Sequence, residues 1–168
     1  MYSLNVPVPG RVQRLAADFR PALAAFETVR ERHTLVVKRL GEEDPVGLEK
    51  RVRRTLSGAP AFEARVARVG AFESPAAGRE PVVYLAVESP GLVLLHRQLC
   101  ESFDPVPGIE GEDYVPHVTL ARGGGTDVED ALERLVETEF EPVTWTVGEL
   151  VFWDAKVGEP AGRVGLPA

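Results

Sequence analysis

The chain has 168 residues and a formal net charge of −7, from 26 acidic and 19 basic side chains. That length makes one domain, or two small lobes sharing a core, and the charge argues against tight nonspecific binding of long duplex nucleic acid, which needs a broad basic surface. A local basic pocket stays compatible with it: the basic residues are 16 Arg and three Lys (Lys38, Lys50, Lys156).

Hydrophobic residues make up 44% and charged residues 27% of the chain, the balance of a soluble globular protein. No apolar run approaches the length of a membrane helix. The first residues lack a basic region followed by a long apolar run, so no signal peptide is expected. The one cysteine, Cys100, has no partner for an internal disulfide and reads as a buried structural thiol. A cytoplasmic protein is the expectation, with no membrane contact and a monomeric state.

In chain order, Tyr2 to Pro7 reads as a first strand, closed by Pro7, Pro9 and Gly10. Val12 to Phe26 has the three-to-four residue period of a helix, interrupted at Pro21. Thr28 to Leu40 reads as a strand bearing His33 and Thr34. Gly41 to Pro45 is a turn, with Asp44 as N-cap and Pro45 at the first position of a basic helix running to about Ser57. Ala61 to Phe72 alternates as a strand, Ser74 to Glu80 is a loop, Pro81 to Val87 a strand and Leu92 to Phe103 a helix. Asp104 to Glu112 is a loop of Pro, Gly and acids, expected to be mobile. Tyr114 to Arg122 is a strand ended by Gly123-Gly124-Gly125. A capped helix to about Glu137, a strand-like run from Phe140 to Asp154 and a short strand from Arg163 to Leu166 complete the chain.

The order repeats: each half has a strand, a helix, a strand carrying His and Thr, and a second helix. The expected fold is α+β, a single domain over residues 1–168 built of two similar lobes, with two largely antiparallel sheets around a central cleft and helices outside.

In the strand Tyr114 to Arg122, His117 and Thr119 stand two residues apart and so share a face, while Val118 and Leu120 turn toward a core. His33-Thr34 lies half a chain earlier. Two imidazoles on facing strands suit acid–base chemistry near neutral pH. The hydroxyls of Thr34 and Thr119 can donate to anionic oxygens, and Lys38 and Arg122, near the ends of the same strands, can neutralise charge. A cyclic phosphodiester fits such a site, with no metal and no cofactor. No Cys/His cluster has metal-ligand spacing. Gly123-Gly124-Gly125 lacks the Lys and Ser/Thr of a phosphate loop and reads as a turn. His96 reads as a solvent-facing or helix-packing residue, and Trp145 and Trp153 as core or as platforms for a base.

Pro116-His117-Val118-Thr119-Leu120-Ala121-Arg122 resembles the HxT motif of the 2H phosphoesterase superfamily, which includes RNA 2′,3′-cyclic phosphodiesterases and the LigT-like, 2′-5′ RNA ligase-like proteins. Chain length, duplicated order, motif spacing and the segments Gly70-Ala71-Phe72 and Val83-Tyr84-Leu85 extend the resemblance over nearly the whole chain. It implies that His117 is a catalytic imidazole, that Thr119 binds phosphate, and that the substrate is an RNA end or a small cyclic nucleotide.

The first motif departs from the pattern, because Thr34 follows His33 without a spacer. If Thr34 is the motif threonine, Arg32 holds the histidine position, and Arg32, Thr34, Val36 and Lys38 face the cleft. If His33 is the catalytic residue, Leu35 occupies the threonine position or the strand bulges. The expected activity is metal-independent opening of a 2′,3′-cyclic phosphate by His33 and His117. The alternative is a binding module for RNA ends or nucleotides with a degenerate first motif.

Overall fold

A computed structural model describes all 168 residues. The strands are β1 (Tyr2–Val6), β2 (Phe26–Val29), β3 (Leu35–Gly41), β4 (Phe62–Phe72), β5 (Val82–Glu88), β6 (His117–Gly124), β7 (Val143–Val147), β8 (Glu149–Asp154) and β9 (Glu159–Gly165). The helices are α1 (Gly10–Asp18), α2 (Pro45–Thr55), α3 (Pro90–Cys100) and α4 (Val128–Glu137), and no helix is long and apolar enough to cross a membrane.

Two antiparallel sheets result, one in the order β3-β1-β8-β9 and one in the order β2-β6-β5-β4-β7. The fold is α+β, as expected. A main cluster of buried apolar side chains runs through it, from Leu4 and Leu35 to Leu85, Leu120, Leu150 and Phe152. Helix α3 packs against β3 and β4, and α4 against β4. Strand β5 is buried on both sides: Val83, Leu85 and Val87 join the main core, while Val82, Tyr84 and Ala86 form a smaller cluster with Phe72.

The first helical run is interrupted at Pro21 as expected, and two further elements differ from the expectation, each at a change of sheet. Pro21 ends the first helical run: α1 stops at Asp18, and a 3₁₀ turn over Arg20–Leu23 carries Pro21 in its first turn. Gly148 divides the late strand, so that β7 joins the second sheet and β8 the first. The run from Thr28 to Leu40 is also two strands, with residues 30–34 crossing from the second sheet to the first. His33 and Thr34 therefore lie on this crossing, ahead of β3. Where the crossing ends, β3 and β6 approach one another from different sheets.

Candidate functional site

Between the sheets lies a cleft of about 340 Å³. Its lining alternates along the crossing and β3, at Arg30, Arg32, Thr34 and Val36, and then continues at Arg39. From β6 come His117, Thr119 and Arg122. Phe72, the loop segment Ser74–Ala77, and Gly108, Ile109, Asp113 and Tyr114 close the walls.

Each of the two strands carries a β-bulge that selects which cation reaches the cleft. On β6, Tyr84 pairs with Thr119 but Val83 pairs with Ala121, leaving Leu120 as the extra residue. The bulge resets the two-residue alternation. Leu120 and Ala121 are both buried, and Arg122 returns to the face of His117 and Thr119. On β3, Asn5 pairs with Val36 and Leu4 with Lys38, leaving Val37 extra. Arg39 thereby lines the cleft and Lys38 does not.

Lys38, expected to bind substrate, is fully buried and makes an ion pair with Glu110 at 2.6 Å. Its Nζ also donates to the carbonyls of Arg39 and Asp104, at 2.8 and 3.0 Å. Its three donors are thus engaged inside the protein, which corrects the expectation that it faces the ligand. Glu110 accepts further bonds from the Val106 and Arg39 N–H groups, at 2.9 and 2.8 Å. Burial alone would raise its carboxyl pKa, but Lys38 and these N–H groups outweigh it and hold the pKa below the usual value.

His96 is buried beside this pair, not solvent-facing. Its Nδ1 donates to the Val37 carbonyl at 2.6 Å, and its Nε2 accepts from the Gly111 N–H at 2.9 Å. The ring stacks on Tyr114 with centroids 3.8 Å apart, and the Tyr114 hydroxyl donates to the Val36 carbonyl at 2.8 Å. The acidic loop over Asp104–Glu112, expected to be mobile, is tied to β3 and α3 by these bonds and forms one wall of the cleft.

His33 is not part of the lining. It is half-buried on the side of Arg20; burial, then that guanidinium, lower its pKa. The expectation that His33 faces His117 is not met: alternation along residues 30–36 turns Arg32 and Thr34 inward, and His33 points between them the other way. Thr34, Thr119 and Arg122 do line the cleft, and neither threonine hydroxyl is engaged by a protein group. Neither Trp145 nor Trp153 reaches it.

His117 follows Pro116, whose carbonyl accepts from Val87 N–H and extends the ladder with β5. Its Nδ1 donates to the Val115 carbonyl at 2.6 Å, which leaves Nε2 as the acceptor of the neutral ring. Phe72 and Tyr84 meet the ring edge to face, at centroid distances of 5.1 and 5.2 Å. Tyr84 fits there because its partner across β4 is Gly70, where a Cβ would stand 2.7 Å from the phenol ring. Burial is the largest cause of the lowered His117 pKa; the Val115 carbonyl opposes it, and Arg39, Arg122 and Arg30 add to it.

Four arginines face one acid, Asp113, in the lining. Arg32 donates to the Gly158 carbonyl at 2.5 Å and Arg122 to the Ala77 carbonyl at 3.2 Å. A Cβ at Gly78 would stand 1.7 Å from Arg122 Nη1, so glycine lets the loop after β4 fold over the guanidinium. The Nε of Arg122 is buried without a partner. Burial, then Arg30 beside it, lower the Arg122 pKa. The arrangement is a concentrated positive field with two hydroxyls and one neutral imidazole, chemistry suited to an anion with several oxygens. No three His, Cys, Asp or Glu side chains group to hold a metal ion. Arg30 and Tyr114 are lining residues that the sequence reading passed over; the alternation Arg30, Arg32, Thr34 was the available signal for the first.

The chain is 36% identical over 98 residues to the RNA 2′,3′-cyclic phosphodiesterase of Methanothermobacter thermautotrophicus, a match covering 58% of this chain and 52% of that protein. The match thus spans about half the length of that relative. Solved structures with the same fold include a Thermus thermophilus protein, with a TM-score of 0.67 and 20% identity over 98% of this chain and 97% of that one. Escherichia coli LigT complexed with 3′-AMP gives a TM-score of 0.67 and 18% identity over 99% and 98% of the two chains. The family model of the 2′-5′ RNA ligase superfamily matches residues 11–159, and the chain belongs to that superfamily.

Proposed function

We propose that the cleft binds the cyclic or terminal phosphate of an RNA end or a nucleotide, with His117 as its one imidazole. The observation that carries this reading is the convergence of Arg30, Arg32, Arg39 and Arg122 with His117, Thr34 and Thr119 on one cleft, in a chain of net charge −7. Multidentate arginine contacts suit phosphate oxygens. The phosphoesterase superfamily and the relative named as an RNA 2′,3′-cyclic phosphodiesterase favour a 2′,3′-cyclic phosphate as the group recognised.

Ring opening by two imidazoles needs a base for water and an acid for the leaving ribose oxygen. His117, neutral and with Nε2 as acceptor, serves as one of them. His33 lies outside the lining, so the second group is missing, and the geometry favours recognition with slow turnover over fast hydrolysis. The experiment is calorimetric titration with 2′,3′-cyclic AMP and 3′-AMP, with product release followed in parallel. Arg122→Ala and His117→Ala are each expected to weaken binding, Arg122→Ala by roughly tenfold or more, the contribution of a hydrogen bond to a charged group. Equal affinity in wild type and both variants refutes the reading.

A further inference from the structure

The two cleft-forming strands share one burial pattern over residues 35–40 and 118–123, at an offset of 83. Leu35 to Arg39 run buried, half-buried, buried, buried, half-buried, and so do Val118 to Arg122. Leu40 and Gly123 are both buried, and Gly41 and Gly124 both take positive φ, at 100° and 152°. Each strand has a bulge whose extra residue falls at the same place, Val37 on β3 and Leu120 on β6, and β3 has a second at Leu40. Arg39 then answers to Arg122, Val36 to Thr119, and Thr34 to His117, and all six line the cleft.

We propose that Thr34, and neither His33 nor Arg32, occupies the position across the cleft that mirrors His117. The proposal rests on the phosphate-cleft reading above. His117 stands at the first residue of its triplet, followed by a buried residue and then Thr119. Thr34 stands at the first residue of its own, followed by buried Leu35 and then Val36. The sequence alone suggested an offset of 84, pairing His33 with His117; the bulges and burial show that the register is one residue shorter. The first lobe therefore offers a hydroxyl where the second offers an imidazole. A hydroxyl at Thr34 donates a hydrogen bond to a phosphate oxygen but exchanges no proton near neutral pH.

Position 34 is then where a second imidazole turns the receptor into a hydrolase. In Thr34→His, one ring takes a proton from water as its oxygen bonds to phosphorus. The bond from phosphorus to a ribose oxygen breaks, and that oxygen takes a proton from the other ring. The product is a phosphate monoester beside a free ribose hydroxyl.

The test uses 2′,3′-cyclic AMP with wild type, Thr34→His, Thr34→His/His117→Ala, Thr34→Val and His33→Ala, reading affinity by calorimetry and turnover by phosphorus NMR. Thr34→His is expected to raise turnover about a hundredfold, the usual contribution of a positioned acid or base. The gain is expected to have a bell-shaped pH dependence and to vanish when His117→Ala is added. Thr34→Val, which keeps the shape and removes the hydroxyl, is expected to weaken binding roughly tenfold. His33→Ala is expected to change neither quantity. The proposal is overturned if His33→Ala abolishes wild-type turnover, or if Thr34→Val binds as wild type does and Thr34→His gains nothing. Wild type binding neither 2′,3′-cyclic AMP nor 3′-AMP overturns the phosphate-cleft reading itself, and this proposal with it.

Discussion

Lys38 shows how one residue can look like a ligand contact in sequence and act as an anchor in the fold. A cation near the end of a strand carrying a polar pair suits a phosphate, yet Lys38 is fully buried and its ammonium meets Glu110 and two carbonyls. Removing one partner of a buried ion pair leaves an uncompensated charge. Lys38→Ala and Glu110→Ala are therefore each expected to lower stability by about 3–5 kcal/mol in urea denaturation. Lys38→Met combined with Glu110→Leu is expected to lose less than either single variant, since no buried charge remains. Equal losses in single and double variants count against the ion pair as the anchor of the acidic loop. His96 works in the same place as a neutral clamp between Val37 and Gly111. Its neighbours in sequence, Leu95 and Arg97, give no sign of that role.

At the scale of elements, two bulges decide the chemistry of the cleft. Perfect alternation on β6 would bury Arg122; the extra Leu120 returns it to the side of His117. The alternation from His117 to Leu120 was legible because apolar and polar residues take turns there. The bulge was not, because Leu120-Ala121 is simply two apolar residues in a row until a partner strand sets the register. Strand β4 contributes by what it lacks. Gly70 leaves room for Tyr84, whose ring in turn supports His117. Gly70→Ala drives a Cβ into that phenol, and a loss of about 1–3 kcal/mol is expected from overpacking. Nucleotide affinity is expected to fall with it, as calorimetry on the folded variant will read. Unchanged stability and affinity would mean that the Tyr84 ring does not position His117.

For the whole molecule, pH dependence integrates the buried titratable groups. His33, His96 and His117 are all held below the ordinary imidazole value of 6.5, burial being the largest cause in each. Below about pH 6.5 the unfolded chain binds protons that the folded chain does not, so stability falls as acid is added. Glu110 acts in the same direction at lower pH, because its carboxyl also protonates more readily in the unfolded chain. The melting temperature is expected to be lower at about pH 5 than at about pH 7.5, as differential scanning calorimetry will show. A flat profile over that range would contradict the neutral state of His96 and His117.

The fold class, the repeated order of elements and the placing of His117 beside Thr119 on one strand face are legible in the chain alone. Those are properties of local pattern: periodicity of two or three to four residues, breakers at Pro and Gly, and a short motif on one strand. The other half of the cleft depends on contacts between distant strands. Whether His33 or Thr34 turns inward, and whether Lys38 or Arg39 lines the cleft, depends on where the chain crosses between sheets and which residue each bulge leaves unpaired. A shift of one residue exchanges every side chain between cleft and core, and partner strands distant in sequence set that register. The stretch around Arg32-His33-Thr34 therefore stayed ambiguous until the bonds of β3 to β1 brought Thr34 into the same cleft as His117 and left His33 outside.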